Sequence, residues 1–402
     1  MSSCILTLNA GSSSIRFALH REGQPSLLTL SGMVERIGLA GTSLSFRKPE
    51  TGASGNLPLP AGGHSSAIRF LLDWLESQEE FAPVIAVGHR VVQGMNHPGP
   101  VWVTPVLLQE LRKVSAYDPD HMPQEIELIE AILNRLPDIP QLACFDTSFH
   151  HTLPRVAAML PLPRRFEATG LKRYGFHGLS YAFLLEELKR LDPAAAMGRV
   201  ILAHLGNGAG LCAVKAGQSV DTTMGFTPAG GLMMGTRSGD LDPGVISYLM
   251  ETHGMTASQF HRMVNQESGL LGVSESSSDV RDLLAVEATD VRAAEALTLF
   301  CYQATKWIGA FAAALGGVNT LVFAGGIGEN SPVIRERICA NLTFLGITLD
   351  PSRNALHAPI ISQEESPVTV RIIPTDESLM IARAVEAMMA QGPTGNSGSI
   401  GS

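Results

Sequence analysis

Short apolar runs alternate with amphipathic stretches along most of this chain. Ile5-Leu-Thr-Leu-Asn-Ala10, then Gly11-Ser-Ser-Ser14, then Ile15-Arg-Phe-Ala-Leu19 reads as strand, small-residue turn, strand. The design returns at Val200-Ile-Leu-Ala-His-Leu-Gly-Asn-Gly-Ala-Gly-Leu-Cys-Ala-Val214, again two apolar strands around a turn that exposes backbone N–H groups. A repeat at that distance is too long for a solenoid and suggests two similar domains. Helical spacing of apolar residues predicts helices over Ser65–Ser77, Pro105–Ala116, Pro123–Leu136, Ser180–Leu191, Thr289–Leu315 and Ser331–Leu345. Strands are expected between them at Val84–Val87, Gln141–Phe145, Thr320–Ala324 and Arg371–Pro374, and this alternation indicates α/β layers. The uncharged stretch from Trp307 to Gly328 is long enough for a bilayer, but Gly316-Gly317-Val-Asn319 divides it into the end of a helix and a buried strand. After Gln391 the Gly/Ser-rich tail has no apolar periodicity and is expected to be disordered.

Hydrophobic residues make up 45% of the 402 positions and charged residues 17%, which suits a globular chain with cores large enough for two domains. The net charge of −9 argues against a nucleic-acid-binding surface, so anionic ligands would have to be captured by local arginines. Cys4, Cys144, Cys212, Cys301 and Cys339 are far apart and form no Cys-x-x-Cys pair, and buried free thiols in a reducing compartment are expected. The amino terminus shows no signal-peptide pattern, and the protein is expected to be cytoplasmic.

The densest chemical signal is Met233-Met-Gly-Thr-Arg-Ser-Gly-Asp-Leu-Asp242, where Arg237 sits among small residues just after an uncharged Gly-rich run. A cation on such a loop suits a closely held anion, and Arg90 in Gly88-His-Arg-Val-Val92 has the same fork to offer. A structural ion pair is the alternative for each. The turn Asn9-Ala-Gly-Ser-Ser-Ser14 offers the Ser12 hydroxyl and close backbone approach to a phosphate, with Arg16 as an added cation; an ordinary hairpin turn is equally consistent. His204-Leu-Gly-Asn-Gly208 has a Gly-x-Gly core without completing a dinucleotide or P-loop motif, and a satisfied strand-end histidine is the plainer reading of His204. Gly325-Gly-Ile-Gly-Glu-Asn-Ser331 follows a buried strand and precedes Pro332, a glycine content that suits close approach to a nucleotide. Asp146 ends a buried strand, where a carboxylate can meet a metal or a proton. His177 has small neighbours that leave room for a ligand or for packing, and Glu377 suits a helix N-terminus.

Taken in order, Asn9-Ala-Gly-Ser-Ser-Ser, Gly88-His-Arg-Val-Val, Phe145-Asp-Thr-Ser-Phe-His, Arg173-Tyr-Gly-Phe-His-Gly and His204-Leu-Gly-Asn-Gly match one known pattern. Ser219-Val-Asp-Thr-Thr-Met-Gly, Gly231-Leu-Met-Met-Gly-Thr-Arg-Ser-Gly-Asp, Ser268-Gly-Leu-Leu-Gly-Val-Ser, Gly326-Ile-Gly-Glu-Asn-Ser and Pro374-Thr-Asp-Glu continue it. On these motifs the chain resembles the acetate and propionate kinase family of short-chain carboxylate kinases. The resemblance implies the two-domain fold of actin-like ATPases, sugar kinases and heat-shock ATPases, with a nucleotide cleft between duplicated α/β domains. Domain I would take residues 1–148 plus 381–391, domain II residues 149–380, and the flexible tail residues 392–402. It also implies a homodimer with no membrane or nucleic-acid partner, using Mg2+ (Mn2+ as a substitute) with ATP to phosphorylate acetate, or propionate in its place.

By the same resemblance Arg90 would bind the substrate carboxylate, Arg237 and His177 the transferring phosphoryl group, and Asp146 would order metal or substrate. Asn9 and Glu377 would hold the metal. Val92, Tyr117, Phe176 and Pro228 would line the acyl pocket. His204, Leu205, Gly206, Asn207 and Gly208 would cradle phosphates along with Ser12 and Arg16. Asp279, Val280 and Arg281 with Gly326, Ile327, Gly328, Glu329 and Asn330 would frame the adenosine. The chain departs from the family where Ser115-Ala-Tyr-Asp-Pro-Asp120 replaces Ala-Pro-Leu-His-Asn-Pro, where Gly210 replaces a serine, and where Asp376 and Ser378 flank Glu377 in place of Asn and Glu. A nucleotide-driven, actin-like binding protein is the competing class, and acetate-independent ATP hydrolysis would favour it.

Overall fold

The computed structural model describes residues 3–11, 13–60 and 62–392, so the expectations for Ser12 and for residues 393–402 of the tail lie outside the described residues. The chain divides into two compact units, Met1–Ser148 with Asp376–Ser402, and Phe149–Thr375.

The first unit is built on an eight-stranded sheet. Its strands are β1 (Cys4–Ala10), β2 (Ser14–Arg21), β3 (Gln24–Glu35), β4 (Ser43–Lys48), β5 (Ala53–Pro58), β6 (Val84–Val91), β7 (Val101–Trp102) and β8 (Gln141–Phe145). They lie in the order β5-β4-β3-β2-β1-β6-β8-β7. The first five strands form an antiparallel meander, whereas β1, β6 and β8 are parallel. Parallel strands need crossovers, and helices His64–Glu76 and Met122–Arg135 supply segments of them. Helix His64–Glu76 buries Ala67, Ile68, Leu71, Leu72 and Leu75, one stripe at helical spacing. That stripe joins Leu6, Leu8, Leu128 and Ile132 in one core, where each fully buried aliphatic side chain contributes about 1.5–3 kcal/mol. Helix Glu377–Ala390 packs on β1 and β6. Gly88 is required there, because a Cβ at that position would collide with Ile381 and Val385.

The second unit carries the strands β9 (Arg199–Leu205), β10 (Ala209–Lys215), β11 (Gln218–Thr222), β12 (Thr320–Ala324) and β13 (Thr369–Ile372), in the order β11-β10-β9-β12-β13. β9, β10 and β11 are antiparallel, and β9, β12 and β13 are parallel. This is the connectivity of β3-β2-β1-β6-β8, so the hairpin repeat seen in the sequence marks a duplicated sheet. Helix Val291–Leu315 stops at Gly316, whose φ of 72° is the left-handed cap that glycine favours, and β12 follows. Among the described residues no helix is long and apolar enough to cross a membrane.

Two expectations change. The run Gly325–Asn330 is itself a short helix beginning directly after β12, and the expected long helix over residues 331–345 ends at Cys339. A turn and a 3-10 segment, Thr343–Leu345, replace its second half. The meander β3–β5 and the helices Pro243–His253 and Ala257–Gln266 were not expected. Both helices bury no residue fully, so no core-facing stripe announces them.

Candidate functional site

In the first unit the carboxyl ends of three neighbouring parallel strands bring charged groups together. Asn9 lies near the end of β1, Arg90 near the end of β6, and Asp146 directly follows β8, its N–H donating to the Val91 carbonyl at 3.0 Å. In open α/β sheets this end is where ligands bind. Strand alternation puts His89 on the opposite face from Arg90. His89 is buried against Gln141 Oε1 at 2.6 Å, and burial pushes its pKa down to about 4, partly offset by that bond; it is a core histidine.

Arg90 donates from Nε (3.1 Å) and Nη2 (2.6 Å) to Asp146 Oδ2, and from Nη1 to Asn9 Oδ1 at 3.2 Å. Glu377 Oε2 lies 4.0 Å from Arg90 Nε and accepts from Asn9 Nδ2 at 3.1 Å. Burial opposes the charge on Arg90, but Asp146, Glu377 and Glu125 outweigh it and hold the guanidinium firmly protonated. Glu377 is the first residue of its helix, and the Asp376 side chain caps that helix by accepting from Leu379 N at 2.8 Å. Arg16 stands opposite Asn9 in the β1–β2 register, on the same face of the sheet.

Among the described residues no three His, Cys, Asp or Glu side chains converge as a metal cluster. A cation here would draw on the amide oxygen of Asn9 and the carboxylate of Glu377. Two such oxygens suit Mg2+, which keeps several of its waters, and the donor chemistry fits.

Glu125 is the residue of this half that sequence reasoning missed. It is 2% exposed, and its Oε2 accepts from Val92 N at 3.0 Å. Burial pushes its carboxyl up to about 8; Arg90 and the Val92 N–H act against this, and Asp118 and Asp146 add to it. The available signal was its place on the stripe Met122, Glu125, Ile126, Ile129, Ile132. Of the four acyl-pocket candidates, Val92 and Tyr117 belong to the first unit, Phe176 and Pro228 to the second. Val92 and Phe176 are buried, whereas Tyr117, at the end of a 3-10 turn, and Pro228 are half-buried.

In the second unit the turn between β9 and β10 gathers the other candidates. A Cβ placed on Gly208 would lie 3.2 Å from His177 Nε2 and 3.8 Å from Arg237 Nη1, so both side chains border the Gly208 backbone. His177 has a left-handed φ of 60° at the start of helix Gly178–Leu191, and its ring centroid is 4.4 Å from that of His204. The Phe176 carbonyl before it accepts from buried His150 Nε2 at 3.0 Å, which fixes the approach to His177. His204 Nδ1 meets Ser180 Oγ at 2.8 Å, and Ser180 Oγ meets Thr375 Oγ1 at 2.8 Å. Arg237 Nη1 donates to the Pro228 carbonyl at 3.3 Å. A Cβ on Gly210 would lie 3.1 Å from Tyr181 Oη, a close approach at the tip of that side chain.

The Gly206 N–H donates to the Gly208 carbonyl at 3.0 Å, and the Asn207 carbonyl accepts from Gly235 N at 3.0 Å. A Cβ on Gly206 would lie 3.8 Å from Gly326 N, so the Leu205–Gly208 turn and the 326–330 segment are neighbours. Glu329 Oε1 accepts from Gly325 N (2.8 Å) and Thr375 N (3.1 Å), so this carboxylate pins the segment. Asp279 caps helix Val280–Val286 and pairs with Arg281, an interaction that lowers its pKa; Val280 is buried and Arg281 is exposed. Arg335 was also missed. It is fully buried, and Nη1 donates to the carbonyls of Gly328 and Glu329, each at 2.9 Å, while Nε donates to Asn354 Oδ1 at 2.8 Å. Burial lowers its pKa to about 10. Its neighbours Glu336 and Arg337 gave it the look of a surface residue.

Comparison with known proteins follows the same lines. The family described as the Acetokinase family matches residues 4–383. An acetate kinase of Rhodopseudomonas palustris (strain ATCC BAA-98 / CGA009) is 47% identical over 395 residues, covering 96% of this chain and 98% of that protein. The crystal structure of Porphyromonas gingivalis acetate kinase superposes with a TM-score of 0.86 at 37% identity, covering 96% of this chain and 100% of that one. That of a propionate kinase from Francisella tularensis subsp. tularensis SCHU S4 gives 0.89 at 33% identity, covering 95% and 98%.

Proposed function

The chain belongs to the Acetokinase family, and from that premise we propose that it transfers the γ-phosphoryl group of ATP directly to acetate. The family and the duplicated sheets make it a two-domain enzyme of the actin-like ATPase, sugar kinase and heat-shock ATPase superfamily, an ATP-dependent phosphotransferase acting on a short-chain carboxylate. The observation that carries the residue-level reading is the convergence of Arg90, Asp146, Asn9 and Glu377 at the carboxyl ends of β1, β6 and β8.

In this reading Arg90 takes the acetate carboxylate, with Asp146 holding the guanidinium in orientation. One acetate oxygen attacks the γ-phosphorus in line with the bridging oxygen that leaves on ADP. Acetate is already ionised at neutral pH, so no base is needed. Arg237 and the Nε2 side of His177 meet the equatorial oxygens, where charge spreads as the bonds exchange. Val92 and Tyr117 are proposed as contacts of the methyl group, and so, each by itself, are Phe176 and Pro228. His204 to Gly208, with Arg16, hold the phosphates, and Arg281 with the 326–330 segment flanks the nucleoside. Asn9 and Glu377 would hold Mg2+, which when bound neutralises phosphate charge.

We further propose a homodimer, supported by Leu241, Ile246, Tyr248 and Met250 exposed on and beside helix Pro243–His253. Five free buried cysteines support a reducing cytoplasmic setting. Trapping acyl phosphate as hydroxamate with acetate, propionate, butyrate and glycerate tests the acceptor. The acetate reading expects the largest kcat/KM with acetate, and a longer acid in first place would move the substrate while keeping the chemistry.

A further inference from the structure

Three polar side chains that the reaction does not use are connected in a line beneath the Asn9–Glu377 pair. His20 Nδ1 lies 2.6 Å from the Pro25 carbonyl, an acceptor only, so Nδ1 carries the proton and donates it. Burial lowers the pKa of His20, with the Pro25 carbonyl and Asp376 acting against it, and the ring is neutral. Its Nε2 is therefore an acceptor, and it takes the hydroxyl proton of Ser378 at 2.8 Å. With that proton committed, Ser378 Oγ accepts from Thr7 Oγ1 at 2.6 Å, a much closer partner than the Ala18 carbonyl, 3.3 Å from the same hydroxyl. The directions in the series follow from the carbonyl at its end together with the neutral state of the ring.

The register places this series next to the proposed metal donors. Thr7 and Asn9 are two apart on β1 and share a face with Ala18 and His20 of β2. Ser378 and Glu377 are consecutive in the first turn of the helix. Two parallel links thus run from one face of the hairpin to one helical turn, Thr7–Ser378 and Asn9–Glu377. The helix is already anchored by Leu379, Ile381, Ala382 and Val385 and capped by Asp376, so apolar contacts alone would hold it to the sheet. Directional hydrogen bonds add control over the rotation of the first turn, which decides where the Glu377 carboxylate points. His20 is the group that takes up the Ser378 hydroxyl.

We propose that Thr7, His20 and Ser378 form a polar clip that positions Glu377 beside Asn9 for divalent-cation binding; this rests on the kinase reading above. These are positioning residues, acting through Glu377. The probe is Mn2+ in the presence of saturating ADP, its affinity read from the free-ion EPR signal, with the Mg2+ concentration for half-maximal activity as a second measurement. Loss of an outer partner of a metal ligand weakens affinity by about 10- to 100-fold. Ser378→Ala is expected to weaken Mn2+ in that range, while Ser378→Thr, which keeps the hydroxyl, restores it. Thr7→Val, which cuts the same Thr7–Ser378 link from the sheet side and preserves shape, carries the test if Ser378→Ala does not fold. A folded Ser378→Ala protein with unchanged Mn2+ affinity overturns the clip, as does equal weakening in Ser378→Thr. Wild-type protein that forms no acyl phosphate would sink the kinase reading, whereas the Mn2+ comparison would still decide the clip.

Discussion

Arg90 meets Asp146 through two nitrogens on a single oxygen: Nε at 3.1 Å and Nη2 at 2.6 Å both point at Oδ2. The pairing orients the guanidinium without exhausting it, since five N–H donors are available and a second anion can share the fork. Asp146 is fully buried, so the pair is also part of the fold.

Arg90→Ala is therefore expected to act twice. The KM for the carboxylate should rise at least about tenfold through loss of a charged hydrogen-bonding partner. Stability should fall by about 3–5 kcal/mol, because the Asp146 carboxylate stays buried without this cation. Denaturant titration and steady-state kinetics separate the two, and an unchanged carboxylate KM would remove Arg90 from substrate binding.

Arg237→Ala should leave the KM for ATP within a few-fold while turnover falls by about 10³ or more, since its cation serves charge that develops only during transfer. A parallel loss in ATP affinity with intact turnover would make Arg237 a nucleotide-binding residue instead.

Glu125 gives a pH signature. Its carboxyl is pushed from 4.5 up to about 8, so between those values the folded protein keeps a proton that the unfolded chain releases. This group's contribution to stability is full below pH 4.5 and is lost as pH rises through 8, at no more than about 1.4 kcal/mol per unit. Glu125→Gln should fold and flatten that decline; identical pH-stability curves for the two proteins would contradict it.

Tyr117 is one of the residues proposed for the acyl pocket. If it borders the acyl pocket, Tyr117→Ala should raise the propionate-to-acetate ratio of kcat/KM by about tenfold, the worth of one methylene in an apolar site. A fixed ratio would place the tyrosine outside the pocket.

The legible parts of the fold were those governed by local rules. Buried parallel strands such as Thr320–Ala324 and stripes such as Ile68, Leu71 and Leu75 carry their own periodicity, and glycine turns mark both hairpins. Asn9 and Arg237 stand out for a related reason, being polar groups set among small residues, and Arg90 stands out as a guanidinium fork in a largely apolar strand. Glu125, Arg335 and the Thr7–His20–Ser378 series were not legible. Each is bonded to a partner distant in the chain (Val92 for Glu125, Asn354 for Arg335, Ser378 for Thr7 and His20), and apart from the apolar stripe that carries Glu125 little in the local sequence distinguishes such a residue from a surface one. The short helix over Gly325–Asn330 was missed because glycine disfavours helices locally, while the carboxylate of Glu329 and the buried guanidinium of Arg335 hold it in place.

The central claim is direct transfer from ATP to a short-chain carboxylate, and a single-turnover reaction with [γ-32P]ATP, run with and without acetate, tests it most directly. The account predicts label moving only when acetate is present, into a small hydroxylamine-sensitive product, with none retained on the protein. Labelled inorganic phosphate released at the same rate without acetate would contradict it and favour a nucleotide-driven binding protein.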